Sequence, residues 1–346
     1  MRRLLNTLYV TTQGAWVSKD GANVVVSVDG SERGRVPVHT LGSIVCFGRV
    51  SMSAPLMGAC AETGVCIAYL SESGRFLARV EGPVSGNVLL RREQYRRTDD
   101  SDATAAIVRS IVVGKTLNHR TVLRRVLRDH GESLDPSNCE AVVAAAERLK
   151  DIARRALRPQ PADSLRGLEG EAGLVYFGVF NHLIRQDKDS FRFVRRSRRP
   201  PLDPVNAVLS FLYTLVVHDC RGALEGVGLD PAVGFLHRDR PGRPSLALDL
   251  MEEFRAPLAD RLALSLINRR QLTAREFRSE QNGATLLTDD GRKAVLVAYQ
   301  ERKRDEITHP FLEEKMAMGL LFHVQALLLA RHLRRDLDEY PPFLWR

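Results

Sequence analysis

The chain has 346 residues, more than the roughly 100 to 200 of one ordinary domain, so two are expected. Its hydrophobic share of 44% and charged share of 27% exclude a disordered or fibrous protein. Fifty-one Lys and Arg against 42 Asp and Glu leave a formal net charge of +9, which favours a polyanionic partner, nucleic acid or an anionic membrane face.

The start, MRRLLNTLYVTTQGAWV, is broken by polar residues before a signal-peptide core forms, and no apolar run approaches the ~20 residues that span a bilayer. No membrane partner and a cytoplasmic location are therefore expected. Five cysteines, Cys46, Cys60, Cys66, Cys139 and Cys220, form no C-x-x-C pair, which fits buried thiols in a reducing compartment better than a disulfide framework or a zinc ribbon.

Up to about residue 95, the runs LYVTT, NVVVSVDG, GRVPVHTL, SIVCFG, VCIAYL, FLARVEG and NVLLRRE alternate with turn residues and read as strands. Ala54 to Thr63 has the spacing of a short helix that Gly64 would stop. The first domain, residues 1–95, is thus expected to be small and mostly antiparallel. A linker is placed at 96–103. Beyond it the apolar period becomes helical: Asp100 to Asp102 offers an N-cap to AAIVRSIVVGKTLNHRTVLRRVLRDH, and further helices are read near 137–157, 164–184, 203–226, 246–269 and 310–336. A hairpin is expected in GATLLTDDGRKAVLVAYQ, turning at Asp290-Gly291. The fold class is therefore α+β, a small N-terminal β domain followed by a predominantly α-helical domain at 104–346.

There is no phosphate loop, dinucleotide fingerprint, nucleophile elbow or H-E-x-x-H. Any chemistry must come from dispersed residues, and three segments stand out. In LRGLEGEAGLVYFGVF, Glu169 lies at the edge of an apolar helical stripe, where it faces either a cleft or plain solvent. In VGFLHRDRPGRPSLALDLMEEFRAP, His237 closes an apolar tetrapeptide, while Asp249 and Glu252 lie three apart on a helix that Arg255 continues. Two acids beside an imidazole suit Mn²⁺, or Mg²⁺ with waters and phosphates completing its shell; the alternative is a surface charge ladder. In FRFVRRSRRPPLDPVNAVLSFLYTLVVHDC, Arg192, Arg195, Arg196, Arg198 and Arg199 crowd a loop before a helix that Asp203 caps and that bears Tyr213. Such a cluster either meets a phosphate backbone or is simply solvated. The 6% aromatic content leaves few rings to stack on unpaired bases, which suits duplex better than single-stranded DNA.

Together these segments resemble the CRISPR-associated spacer-acquisition endonuclease, the first of the numbered Cas proteins, over essentially the whole chain. VPVHTLGSIVCFGRVSMSAPLMGACAETG and the ending YPPFLWR are similar to the version found in subtype I-C systems. The resemblance implies a divalent metal, Mg²⁺ or Mn²⁺, held by Glu169 in RGLEG, His237 in GFLH and Glu252 in DLMEEFR, with Asp249 in support; Glu171 and Glu253 are not selected by the family pattern. Tyr213 matches the tyrosine of the family's N-x-x-L-S-F-L-Y pattern. The implied reaction inserts new spacer DNA into a repeat array by 3′-hydroxyl attack on phosphodiesters, with Arg255 and the arginine loop offsetting phosphate charge. The implied partners are double-stranded DNA (prespacer and CRISPR repeat), a second copy of the chain as a homodimer, and a small second CRISPR-associated protein. A branched-DNA repair nuclease that integrates nothing and a non-catalytic DNA-binding scaffold are the rival readings.

Overall fold

The structure, a computed structural model, describes residues 6–72, 74, 76–80, 82 and 88–345. The N-terminal part holds β1 (Asn6–Val10), β2 (Trp16–Asp20), β3 (Asn23–Val28), β4 (Ser31–Pro37), β5 (Leu41–Phe47), β6 (Ser51–Met52), β7 (Cys66–Leu70) and β8 (Phe76–Val80). They form two four-stranded sheets, in the orders β1-β5-β7-β8 and β4-β3-β2-β6. Both sheets are mixed, which corrects the mostly antiparallel expectation. β2, β3 and β4 meander antiparallel, whereas β1, β5 and β7 run parallel and β6 joins β2 in parallel. A parallel neighbour needs a crossover, and α1 (Ala54–Thr63), ended by Gly64 at φ 73, supplies the one between β5 and β7.

Alternation along β5 faces two interiors. Ile44 and Cys46 enter the N-terminal core with Val17, Leu56 and Ile67, while Val45 and Phe47 join the helical core. There the Phe47 and Phe211 rings lie 6.0 Å apart.

From Val88, the first described residue of NVLLRRE, the expected strand is helical instead. Val88–Asp99 is a helix, α2, and residues 96–103 are the end of that helix, the cap Asp100 and the start of α3 (Ser101–His130). Asp100 accepts from the backbone N–H groups of Asp102 and Ala103 at 2.9 and 3.0 Å, so the helical direction is reset without an extended connection. Then follow α4 (Pro136–Ala156), α5 (Ala162–Gly178) and α6 (Pro204–Val227), whose first turn Asp203 caps. α6 has the length and mean hydropathy, 1.2, of a membrane-crossing helix, but it is the central helix of the core, with Leu209, Leu212, Leu215 and Val216 all buried.

The expected helix over 246–269 is three pieces: α7 (Ser245–Met251), a π-helical turn at Arg255–Asp260 and α8 (Arg261–Asn268). Pro257 lies in the middle piece and has no N–H for the regular ladder. The expected hairpin at Asp290-Gly291 is also corrected. β10 (Thr285–Leu287) pairs backwards with β9 (Phe277–Ser279), and Thr288 caps α9 (Asp289–Arg304), placing Asp289 and Asp290 in its first turn. The expected helix over 310–336 narrows to α10 (Leu321–Leu333), because β11 (Glu306–Thr308) pairs with β12 (Lys315–Ala317) before it.

After α10 the chain folds back over α3. The Asn118 amide donates to the carbonyls of Glu253 and Phe343 at 2.8 Å each and accepts from the Trp345 N–H at 2.8 Å. The Glu253 carboxylate accepts from the Phe343 N–H at 2.6 Å, the Gln325 amide at 2.7 Å and the Tyr340 hydroxyl. Burial pushes this carboxyl up to about 7. All five cysteines are free thiols.

Candidate catalytic site

Two stretches far apart in the chain meet beside α3: α5, and the run that holds the loop before α7, the end of α7 and the π-helical turn. Asp249, fully buried on α7, anchors the loop. Its Oδ2 accepts from the N–H groups of Phe235 and Leu236 at 2.6 and 2.9 Å, and its Oδ1 from the His237 N–H at 2.8 Å and imidazole Nδ1 at 2.7 Å. With a carboxylate on Nδ1, the neutral ring carries its proton there and turns a lone pair outward at Nε2. Nε2 faces Glu252, whose Oε1 is 3.8 Å away. Arg166, one turn before Glu169 on α5, clamps the same loop by donating to the carbonyls of Leu236 and Phe235 at 2.7 and 2.8 Å. Gly234 allows the loop to lie this close to α7, since a Cβ there would stand 2.8 Å from Ser245 and 2.9 Å from Asp249 Oδ2.

Glu252 caps the C-terminal end of α7 and is 1% exposed. Its Oε1 pairs with Arg255 Nη1 at 2.9 Å and its Oε2 with Lys115 Nζ at 2.8 Å. Burial alone would raise this carboxyl, but the charges of Arg255 and Lys115 outweigh it and hold the group well below the usual carboxylate range. The Lys115 ammonium also pairs with Glu169. The three residues singled out from sequence as ligands are thus brought to one place with the ammonium of Lys115 between the two carboxylates. Among the described residues, no three His, Cys, Asp or Glu side chains surround one point closely enough to hold a metal as they stand. The donor set nevertheless fits one: an imidazole fixed from behind by a carboxylate, and two acids converging on a cation.

Tyr213, on α6, donates its hydroxyl to Asp260 Oδ1 at 2.6 Å. The guanidinium carbons of Arg196 and Arg255 lie 5.1 and 5.0 Å from its ring centroid. Two of the arginines expected to contact phosphate, Arg196 and Arg255, are thus turned inward onto this ring. Arg255 is 8% exposed and committed to Glu252. Arg196 donates to Asn206 Oδ1 at 2.5 Å, to Ser210 Oγ at 3.1 Å and to the Ser197 carbonyl at 2.6 Å. Arg192, Arg195, Arg198 and Arg199 are exposed, and among the described residues none pairs with a carboxylate. Glu171 faces away and pairs with Arg148 and Arg155, and Glu253 holds the C-terminal segment.

Sequence reasoning missed Lys115, Arg166 and Asp260. Lys115 had a signal: it falls on the apolar stripe Ile111, Val112, His119 and Val122 of α3, where a lysine needs buried acids. Asp260 had none, because a lone acid in FRAPLADR reads as solvated.

A mixed β part leading into a helical part, with an acid–histidine–lysine cluster at the junction of α3, α5 and α7, defines a class of protein that comparison identifies. The sequence model for "CRISPR associated protein Cas1" matches residues 8–301, and the chain belongs to that family. It is 59% identical, over the full length of both chains, to a "CRISPR-associated endonuclease Cas1 2" of Rhodospirillum rubrum (strain ATCC 11170). Two solved structures share its fold. One is a chain of a Cas6-RT-Cas1–Cas2 complex, with a TM-score of 0.82 and 22% identity over 99% of this chain and 36% of that one. The other is a casposase bound to integration product, with a TM-score of 0.81 and 21% identity over 98% of this chain and 94% of that one.

Proposed function

We propose that this chain is a metal-dependent DNA endonuclease and integrase of CRISPR adaptation, which joins a DNA 3′-hydroxyl to a phosphodiester at the edge of a repeat. The observation that carries this reading is the convergence of Glu169, His237 and Glu252 in a member of the Cas1 family, whose named relative is an endonuclease and whose fold is shared by a casposase bound to integration product.

Glu169, the Nε2 of His237 and Glu252 would hold Mg²⁺ or Mn²⁺, and Lys115 would yield its place to the ion. Bound there, the ion supplies Lewis acidity toward a phosphoryl oxygen and the oxygens that attack and leave. The chain's own groups do the rest. Asp249 keeps the imidazole aimed, Arg255 keeps Glu252 in one orientation, and Arg192, Arg195, Arg198 and Arg199 lie along the phosphate backbone of duplex DNA. One P–O bond forms as another breaks, and the displaced strand leaves as a 3′-hydroxyl that takes up a proton. With water as nucleophile the same centre nicks DNA.

The working assembly is a homodimer that joins a small second Cas protein, as the complex containing Cas1 and Cas2 suggests, and it works in the cytoplasm. The test is strand transfer into a supercoiled repeat plasmid by purified protein and partner with Mn²⁺ or Mg²⁺. Glu252→Ala is expected to bind DNA but neither nick nor integrate. Undiminished nicking by that variant would overturn the metal site. Nicking without strand transfer would favour the repair-nuclease reading.

A further inference from the structure

Asp260 is a fully buried carboxylate near the site to which the reaction above gives no task. It ends the π-helical turn that begins at Arg255, so the irregular backbone joins the partner of Glu252 to the partner of Tyr213. Its Oδ1 takes the Tyr213 hydroxyl at 2.6 Å. Burial pushes the carboxyl up to about 6 even with Tyr213, Arg196 and Arg255 favouring its charge. A group this expensive to bury that serves only as filler would be matched or bettered by an apolar side chain.

The Tyr213 ring makes the connection. Arg196, fixed by Asn206, Ser197 and Ser210, and Arg255, bound to Glu252, are the two guanidinium groups against it. A phenol free to rotate would let Arg255 drift. A phenol pinned at its hydroxyl gives Arg255 a fixed wall, and Glu252 is held by Arg255 at 2.9 Å.

We propose that Asp260 is a positioning residue for the reaction: it pins the Tyr213 phenol, and the pinned ring holds Arg255 against Glu252, so that the carboxylate at the reacting centre keeps one orientation. This rests on the assignment of Glu252 to the metal site. The line of contact runs from Asp260 through Tyr213 and Arg255 to Glu252.

The test is a double-mutant cycle on the full-length protein between Asp260→Leu, which removes the acceptor of the Tyr213 hydroxyl, and Tyr213→Phe. It reads kcat and KM for nicking of repeat DNA, and Mn²⁺ affinity by calorimetry without DNA. Each single change is expected to lower kcat by about 10-fold, with KM unchanged and Mn²⁺ binding weakened by a similar factor, the range seen when groups behind a metal ligand are removed. The double variant is expected to be no worse than the poorer single, because both changes release the same ring. Losses that multiply in the double variant overturn the proposal, and so does wild-type Mn²⁺ affinity in both singles. If Asp260→Leu does not fold, Tyr213→Phe decides alone: full kcat and full Mn²⁺ affinity overturn the proposal. A Glu252→Gln arm separates the two claims, since full activity there removes the site assignment itself whatever Asp260 does.

Discussion

At the scale of single residues, the site is held by charge placed where water does not reach. Lys115 is 4% exposed and Glu252 1%, so each depends on the other for a counter-charge. Lys115→Met keeps the length of the side chain and deletes the ammonium. It is expected to destabilise the metal-free protein by roughly 3 kcal/mol in urea denaturation with EDTA, as breaking a buried pair does. Mn²⁺ should recover more stability in this variant than in the natural chain, because the ion then enters without displacing an ammonium. Equal stability of the two proteins in EDTA would mean that Lys115 does not neutralise the acids. The acids and the histidine were legible in the sequence because each sits in a short pattern of its own. Lys115, Arg166 and Asp260 were not, because their roles exist only across segments that lie far apart in the chain.

At the scale of elements, the short loop before α7 aims His237 toward the centre, and Gly234 sets how close that loop comes. Gly234→Ala puts a methyl 2.8 Å from Ser245 and 2.9 Å from Asp249 Oδ2, and both neighbours are buried. A loss of roughly 1 to 3 kcal/mol is expected, as for other overpacked sites. Nicking should fall with it, because the His237 N–H and ring both hang on Asp249. A variant with the natural melting temperature and natural nicking rate would show that the loop can lift without consequence.

The same scale explains which elements the sequence conveyed. Long stripes such as α3, α4 and α6 were read within a residue or two, since periodicity accumulates over several turns. The failures share a cause: a local signal that serves two structures. Asp290-Gly291 suits a hairpin turn, yet two acids after a threonine also suit the first turn of a helix, and Thr288 decides for the helix by accepting from the Gly291 N–H at 3.2 Å. The apolar spacing of DLMEEFRAPLADRLALSLIN continues through Pro257, whereas the backbone does not. The parallel pairings of β1, β5 and β7 leave no mark on local sequence at all.

At the scale of the whole molecule, part of the net positive charge of +9 is gathered into a local feature, the four exposed arginines before α6. Replacing Arg195, Arg198 and Arg199 together by alanine is expected to lower the slope of log K against log salt for duplex binding by about 0.9 for each phosphate no longer neutralised. Arg196→Ala serves as the contrast: the slope should hold while kcat falls, because that side chain faces Tyr213. An unchanged slope in the triple variant would place the DNA elsewhere. That a β part precedes a helical part was readable from the change of apolar period, although the helices begin at Val88, before the expected change near residue 95; the degree to which the two are one body was not. β5 makes the difference. Ile44 and Cys46 feed one interior and Val45 and Phe47 the other, so heat cannot melt the N-terminal sheet without stripping Val45 and Phe47 from the helices. A calorimeter should therefore record one cooperative transition for the pair, and two well-separated peaks would contradict it. A destabilising change deep in the strands, far from any DNA, should then show up as a loss of integration.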